Sequence, residues 1–450
     1  MTMRLRSFGY ALCNVAVSVG SLPINLFLLY YLTEILGVRA TLAGLAVALP
    51  KVWDALIDPM LGGWIDRLAV RMRRRWPILV ISGLAYVGSL VAVFAIPSSL
   101  SMTAIVSLAI VLLIISSIAH TGIGISQFAL ATEMTSNPVE LSKLLAMAAI
   151  TAQILTVPAS ALIPLLIDHA GGGEGAYLVM SVQIAAFAAV VLAAFIAMTR
   201  RVPVRAATVD TQGLSTWESL KATGNNSAFY SLVALVVCLN GSITIQMGFL
   251  PFANQYVLGG SAATLSLLQA ALGLSVVAGM LASPFLARRY QTIPSMRACN
   301  LLSVAALLAM FFASYGPVWM TVAAISIMGF GAGVIGVLIQ TAILTAARMP
   351  TNVGLTIALG FYLGIMVAAI KLGGSAGSLV SGQFLALIGF QSGGAAQTET
   401  ALFGLRLGYT AVPCILTLIG SFFLFRTVLP MGQDTADMPD ETRPEPAAAV

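Results

Sequence analysis

Charge is what this sequence has least of: 22 basic and 16 acidic residues make up only 8 % of its 450 positions. Soluble domains carry about a quarter charged residues, so composition alone excludes an ordinary water-soluble chain. Histidine is nearly absent, with only His120 and His169. The four cysteines, Cys13, Cys238, Cys299 and Cys414, lie far apart with no metal-type spacing. They read as small apolar packing residues rather than a disulfide framework. Glycine is plentiful, yet no Walker A or dinucleotide fingerprint occurs, and no metal-hydrolase or catalytic-triad spacing either. The expectation is a protein that is not an enzyme, with no cofactor and no resident metal beyond a coupling ion.

What is present is hydrocarbon. Apolar residues make up 59 % of the chain, and the mean hydropathy is +0.98. Apolar stretches of about twenty residues recur from Phe8 to Phe425, the length that spans a bilayer. In lipid the backbone must satisfy its own hydrogen bonds, so each stretch is a helix. The pattern predicts helices at 8–33, 41–65, 76–96, 102–131, 144–167 and 176–199. A second set follows at 228–257, 263–287, 294–314, 317–346, 354–389 and 403–428. Between the sets runs a polar segment containing Arg200, Arg201, Arg205, Asp210, Trp217, Glu218 and Lys221. The domain expectation is a six-helix bundle at 1–199, a cytoplasmic linker at 200–227, a second bundle at 228–428, and a disordered tail at 429–450, rich in Pro, Ala and acid. Six helices, a linker and six more is the two-bundle plan of major-facilitator transporters, an all-α membrane fold.

The net charge of +6 follows topology and does not point to nucleic acid. Basic residues concentrate at Arg4 and Arg6, Arg67 to Arg75, Arg200 to Arg205, Lys221, Arg288, Arg289, Arg297, Arg348 and Arg426. The intervening loops, such as Pro97–Met102 and Gly259–Ala263, carry none. That alternation predicts a multi-pass protein of the cell's inner membrane with both termini cytoplasmic. Arg4 and Arg6 before an apolar run resemble a signal peptide, but the run reaches Leu32 without a small-residue cleavage site, so it reads as an uncleaved first helix.

Charges at membrane depth are the informative ones. Lys51, Asp54 and Asp58 fall within Leu49–Arg67 (LPKVWDALIDPMLGGWIDR) at i, i+3 and i+4 spacings, and so share one helical face. Asp58 stands eight residues before Asp66, roughly 12 Å of helix from the cytoplasmic surface. A charge at that depth costs ~3 kcal/mol or more unless paired, hydrated or protonated. Two carboxylates one turn apart can hold Na⁺ with neighbouring oxygens, or share a proton, because like charges oppose joint ionisation. The plainer reading is a fixed ion pair with a lysine. Pro59 removes a backbone donor beside Asp58 and loosens the helix there. Lys371, in Ala368–Gly382 (AAIKLGGSAGSLVSG), is the other deep cation; it pairs with Asp54 or Asp58, meets an anionic substrate, or snorkels to an interface. His120 reads as a packing residue ahead of a proton relay, while Glu34 and Arg39 read as boundary charges. Asn240, Gln246, Asn254, Gln255, Gln269, Gln340 and Gln383 line a cavity or bond between helices.

Gly62, Asp66, Arg67, Arg71, Arg74 and Arg75 follow the second helix, and Gly279, Ser283, Arg288 and Arg289 echo them after the eighth. Gly–x–x–x–Asp–Arg before a basic cluster resembles the major-facilitator loop signature, with Arg73 in place of the usual glycine. It implies a cytoplasmic gate of Asp66, Arg67, Arg71, Arg74 and Arg75 that ties helix ends by charge pairs when that side closes; Arg71–Arg75 serves equally as a topology signal. The stretch Val52–Arg75, with Trp53-Asp54-Ala55, Asp58-Pro59, Gly62 and Asp66-Arg67, resembles the glycoside–pentoside–hexuronide:cation symporters, the melibiose-permease-like branch. Tyr31-Leu-Thr-Glu-Ile-Leu-Gly37 and Lys371-Leu-Gly-Gly-Ser375 extend the match. The resemblance implies cation carboxylates at Asp54 and Asp58, an oxygen ligand at Thr121, and the eleventh-helix lysine at Lys371.

The departures bear on substrate. Where sugar-binding members carry an Asp in helix one this chain has Ser18; their helix-four Asp and Trp fall on Gly124 and Phe128; their helix-five Arg falls on Ala149; and the helix-two Asn of sodium-using members is Ile57. Each lost charged hydrogen bond is worth ~1.5–3 kcal/mol. A smaller, more apolar pocket with Phe128 as a stacking surface points away from simple sugars and toward an amphipathic or anionic solute. The function expected is therefore a cation-coupled (H⁺ or Na⁺) symporter of a small organic solute working by alternating access, one chain being sufficient as a monomer. The other readings are a glycoside symporter, a proton-driven exporter, and a non-transporting receptor or assembly factor.

Overall fold

The computed structural model describes residues 3–135, 137–200, 202, 226–347 and 355–427. They form twelve helices long and apolar enough to cross a membrane. In chain order these are α1 (Met3–Tyr30), α2 (Ala40–Met72), α3 (Trp76–Phe94), α4 (Met102–Met134), α5 (Pro138–His169) and α6 (Gly173–Thr199). The second six are α7 (Ser227–Phe252), α8 (Ala262–Tyr290), α9 (Thr292–Ala313), α10 (Val318–Ala347), α11 (Leu355–Leu387) and α12 (Glu399–Arg426). The expected linker lies almost wholly, and the tail wholly, outside the described residues. Ser101, Asn226, Ser261 and Thr398 each accept a backbone N–H three residues on, which satisfies an orphan donor at the start of α4, α7, α8 and α12.

The halves repeat one another in local detail. α1 and α7 each end in a five-residue π-helical turn, Tyr31–Ile35 and Ala253–Val257. Each turn is followed by a Leu–Gly pair whose glycine, Gly37 or Gly259, takes positive φ. α2 and α8 each end on a non-glycine residue with positive φ, Arg73 at 52° and Gln291 at 68°, the two such residues among those described. The second helix was expected to stop at 65. It continues to Met72 because Asp66–Met72 contains neither Gly nor Pro, so Arg67 and Arg71 ride on the last turns, where basic groups suit the helix dipole.

Among the described residues, packing between the halves concentrates toward one end. α1 lies against α7, α2 against α11 and α5 against α8, the last two contacts being equivalent when the halves are exchanged. One apolar core, including Leu28, Leu32, Phe94, Phe249, Phe252 and Leu405, draws on both halves. Toward the end that carries Arg67–Arg75 and Arg288–Arg289 it divides. Tyr10, Leu79 and Phe195 belong to a core built from the first six helices, and Phe229, Met296 and Ile343 to one built from the last six. Among the described residues the halves are thus sealed at the end away from these arginines and separate toward the basic end. Hydrogen bonds fasten the seal: Tyr256 donates to Glu34 at 2.5 Å, Tyr30 donates to Gln255, and the Gly393 N–H donates to the Thr33 carbonyl at 3.0 Å. Glu34, read from sequence as a boundary charge, is in fact buried in this contact.

Gly44 on α2 and Gly382 on α11 meet backbone to backbone, and a Cβ on either would collide with the other's Cα. Gly382→Val is therefore expected to part α2 from α11 and to lower stability by about 1–3 kcal/mol, read as thermal unfolding in neutral detergent. Gln291, at φ 68° and ψ 165°, occupies backbone space that suits glycine. Gln291→Gly should raise stability in the same assay by about 1 kcal/mol, relieving strain at no cost in contacts.

Candidate functional site

The close approach of Gly44 and Gly382 sets α11 along α2, and the charged residues of both helices then fall at one level. Lys371 of α11 forms ion pairs with Asp54, at 2.5 Å, and with Asp58. Both contacts use the Oδ2 oxygens; the Oδ1 oxygens turn the other way, toward α4. There the Thr121 hydroxyl stands 3.0 Å from Asp54 Oδ1 and 2.8 Å from Asp58 Oδ1. A hydroxyl has one proton to donate, so it serves one carboxylate at a time. The other short contact is satisfied when that carboxyl carries a proton or when a cation sits among the three oxygens. Each charged side chain of the trio is 13 to 22 % exposed, shielded enough that unpaired charge would be costly.

Lys51 takes a different partner. Its ammonium donates to Ser378 on α11 at 2.9 Å, and one turn away Ser375 donates to the Ala48 carbonyl at 2.9 Å. Small residues make these contacts possible, since Gly373 and Gly377 let α11 settle against α7 while its serines face α2. Lys51, Asp54 and Lys371 line a cavity of about 550 Å³ between the halves, within the range of small-molecule sites. Ser21, Asn25, Ser116, Ser117 and His120 complete its polar wall from the first half, and Asn240 and Thr244 contribute from the second. Tyr86 and Met247 are among its apolar surfaces.

The structure thus brings together Asp54, Asp58, Thr121 and Lys371, and sets Lys51 one turn away. His120, read as a packing residue, faces the cavity with its ring tilted against Tyr86 at 6.1 Å. Ser18, Gly124 and Phe128 are not among the residues lining this cavity. Gly124 and Phe128 lie three and seven residues beyond Thr121, so they continue its face of α4 toward the basic end, and both are exposed. Of the amides, Asn240 lines the cavity. Gln246 and Gln340 line an adjoining 250 Å³ pocket in the second half, and Asn254 caps the π-helical turn by donating to Gly260 and Ser261 carbonyls.

One residue of the expected gate, Arg75, is held in a buried ion pair. Arg75 donates to Glu133 at 2.8 Å with both side chains under a tenth exposed, which ties the α2–α3 corner to the end of α4. That pair lies within one half and does not join the two. Arg67, Arg71 and Arg74 are exposed at the basic end, and the Asp66 side chain lies outside the described residues. Sequence reasoning missed Glu34, Tyr256 and Glu133. The repeated Leu36-Gly37 and Leu258-Gly259 pairs after α1 and α7 carried a signal for the first two; nothing in the sequence singled out Glu133.

Comparison with known proteins agrees with this architecture. An uncharacterised symporter of Bacillus subtilis (strain 168), YnaJ, is 25 % identical over 167 residues, which is 37 % of this chain and 36 % of that protein. The match thus spans little more than a third of the relative. Among solved structures, a D-xylose–proton symporter superposes with a TM-score of 0.68 at 15 % identity, covering 95 % of this chain and 97 % of that one. The nucleoside transporter NupG gives 0.68 at 13 % identity, covering 95 and 98 %. A bacterial homologue of the human lysosomal transporter Spinster, inward-facing and unoccupied, gives 0.67 at 16 % identity, covering 94 and 96 %. These likenesses establish the major-facilitator fold. The sequence profile described as MFS/sugar transport protein matches residues 9–431, nearly the whole chain, and this multi-pass membrane protein belongs to that family of transporters.

Proposed function

We propose that the chain is a cation-coupled symporter of a small organic anion, of the melibiose-permease-like branch, and that the basic end is cytoplasmic, so that the described state faces inward. The observation that carries the reading is the charge inventory at mid-depth: two carboxylates, Asp54 and Asp58, and two ammoniums, Lys371 and Lys51. With His120 neutral, these sum to zero. A monovalent cation alone would leave the site at +1 and an anion alone at −1, whereas the two together restore neutrality. In a shielded site that difference makes each ligand favour the other.

The parts divide accordingly. The Oδ1 edges of Asp54 and Asp58 with the Thr121 hydroxyl form an oxygen cluster suited to H⁺ or Na⁺. Lys371 is occupied by the Oδ2 edges, so the solute's negative group falls to Lys51, whose ammonium reaches the cavity and is held by one neutral hydrogen bond. Leu22, Ile243, Met247 and Ile370 offer the apolar surface an amphipathic solute would use. A neutral sugar is the second reading, favoured by Asn25, Asn240 and Thr244 in the wall.

Charge movement separates the two. Cotransport of a monovalent anion with one cation moves no net charge, and a neutral sugar with one cation moves one charge per cycle. In proteoliposomes on a solid-supported membrane, the active solute is expected to give uptake without transient current; a current that scales with uptake would mean the sugar reading is right. Asp58→Asn should abolish accumulation against a gradient while solute exchange across the membrane continues. Retained accumulation in that variant would remove Asp58 from coupling. Lys51→Gln should weaken solute binding at least about tenfold, read by thermal stabilisation in nanodiscs, with the response to the cation preserved.

A further inference from the structure

A second binding feature lies outside the transport cavity, on the flank of the first half. An open groove of about 910 Å³ runs between α3 and α6, lined by residues of that half together with Arg200 and Val202 just beyond α6. Three guanidiniums, Arg73, Arg74 and Arg200, stand at its basic end, all exposed. Among the described residues none of the three is paired with a carboxylate. The remainder is apolar, and Gly83, Ala193 and Ala197 give it depth by offering little or no side chain. From Trp76 to Val87 along α3 the groove extends about 16 Å, which matches one leaflet of a ~30 Å hydrocarbon core. Trp76 sits just inside the arginines, the depth at which an indole meets the headgroup region.

We infer that this groove is a binding site for an anionic phospholipid of the leaflet at the basic end, with phosphate-bearing headgroup on the arginines and acyl chains along α3 and α6. Charge complementarity selects the occupant. A zwitterionic lipid fills the apolar length but answers the guanidiniums poorly, and a free anion leaves the apolar length empty. Bidentate guanidinium–phosphate pairing supplies the preference. The turn at Arg73 contributes geometrically: by ending α2 in the left-handed region it places Arg73 and Arg74 at the head of α3, over the groove.

The test is fluorescence quenching in nanodiscs, comparing phosphatidylglycerol and phosphatidylcholine that carry bromine on the acyl chains. The contribution of Trp76, one of five tryptophans, is isolated as the difference between the unaltered chain and Trp76→Phe. Brominated phosphatidylglycerol is expected to quench Trp76 at a mole fraction at least about tenfold lower than brominated phosphatidylcholine does. Arg74→Gln with Arg200→Gln should erase that preference while leaving the quenching by brominated phosphatidylcholine unchanged. Equal quenching by the two lipids would overturn the proposal, as would no quenching by either. Native mass spectrometry of the unaltered protein provides a readout free of variants: retained phosphatidylglycerol supports the site, and retention that is unchanged in the double arginine variant counts against it.

Discussion

A carboxylate at the depth of Asp58 is costly unless a nearby group compensates its charge, and that requirement governs how the two halves meet. The compensating ammonium, Lys371, stands on the other half, so the electrostatic need of α2 is met only while α11 lies against it. Everything along that seam serves the approach. Gly44 and Gly382 remove side chains where the backbones cross, Ser375 and Ser378 supply short hydroxyls in place of bulk, and Gly373 and Gly377 let α11 press equally closely on α7. Substituting apolar residues for the whole cluster would be a cheaper way to hold two helices together, because buried ion pairs often contribute little net stability. The presence of four charges where four apolar residues would serve is what makes a binding role the economical explanation.

The seam is also asymmetric along its length. On the side away from the basic end it is sealed by apolar core, by the π-helical turns of α1 and α7, and by hydrogen bonds from Tyr30 and Tyr256. On the basic side of the charges the cores separate into one per half. The ion pairs therefore stand at the vertex between packed and unpacked regions, the position from which a small change in attraction has most leverage on the angle between halves. A π-helical turn has one residue more per hydrogen-bonded loop than an α-turn, and it leaves local backbone bonding easier to rearrange. Two of them at equivalent positions, both in the seal, mark where the helices would adjust were that end to open.

Much of this is legible in the sequence. Twelve hydrocarbon-length segments could be counted because lipid imposes one length and one backbone solution. The Lys51, Asp54 and Asp58 face could be drawn because helical spacing is rigid. Lys371 stands out in the sequence as a deep cation that can pair with Asp54 or Asp58, whereas Thr121 is available only through family resemblance, since nothing local says that a residue 63 positions from Asp58 will touch it. The long-range pairs share one difficulty. Glu34 reads as a boundary charge when judged by its own segment, and nothing in the segment of Arg75 names its partner. Their partners, Tyr256 and Glu133, are 222 and 58 residues away, and pairing across such separations leaves no periodic signature. The end of α2 was missed for a different reason. The hydropathy pattern stops where adjacent charges begin, at Asp66 and Arg67, whereas a helix stops where its backbone must turn, here at Arg73.

The division of the carboxylates into two edges has a consequence for coupling under the proposed function. Because Thr121 and Lys371 approach Asp54 and Asp58 from opposite sides, a cation could join the Oδ1 edge without displacing the lysine. It would still weaken the lysine's hold, since the new positive charge repels the ammonium and screens the carboxylates that attract it. A cation alone would thus loosen α2 from α11 while leaving the site charged, a poor state in which to move through the membrane. An anionic group at Lys51 restores neutrality on the same face, one turn away. Loosening then comes from the cation and neutrality from the pair, so the halves would rock freely only when both ligands are present or both are gone. That is the condition coupled transport requires, and it arises here from the placement of four charges on two helices that glycine allows to touch.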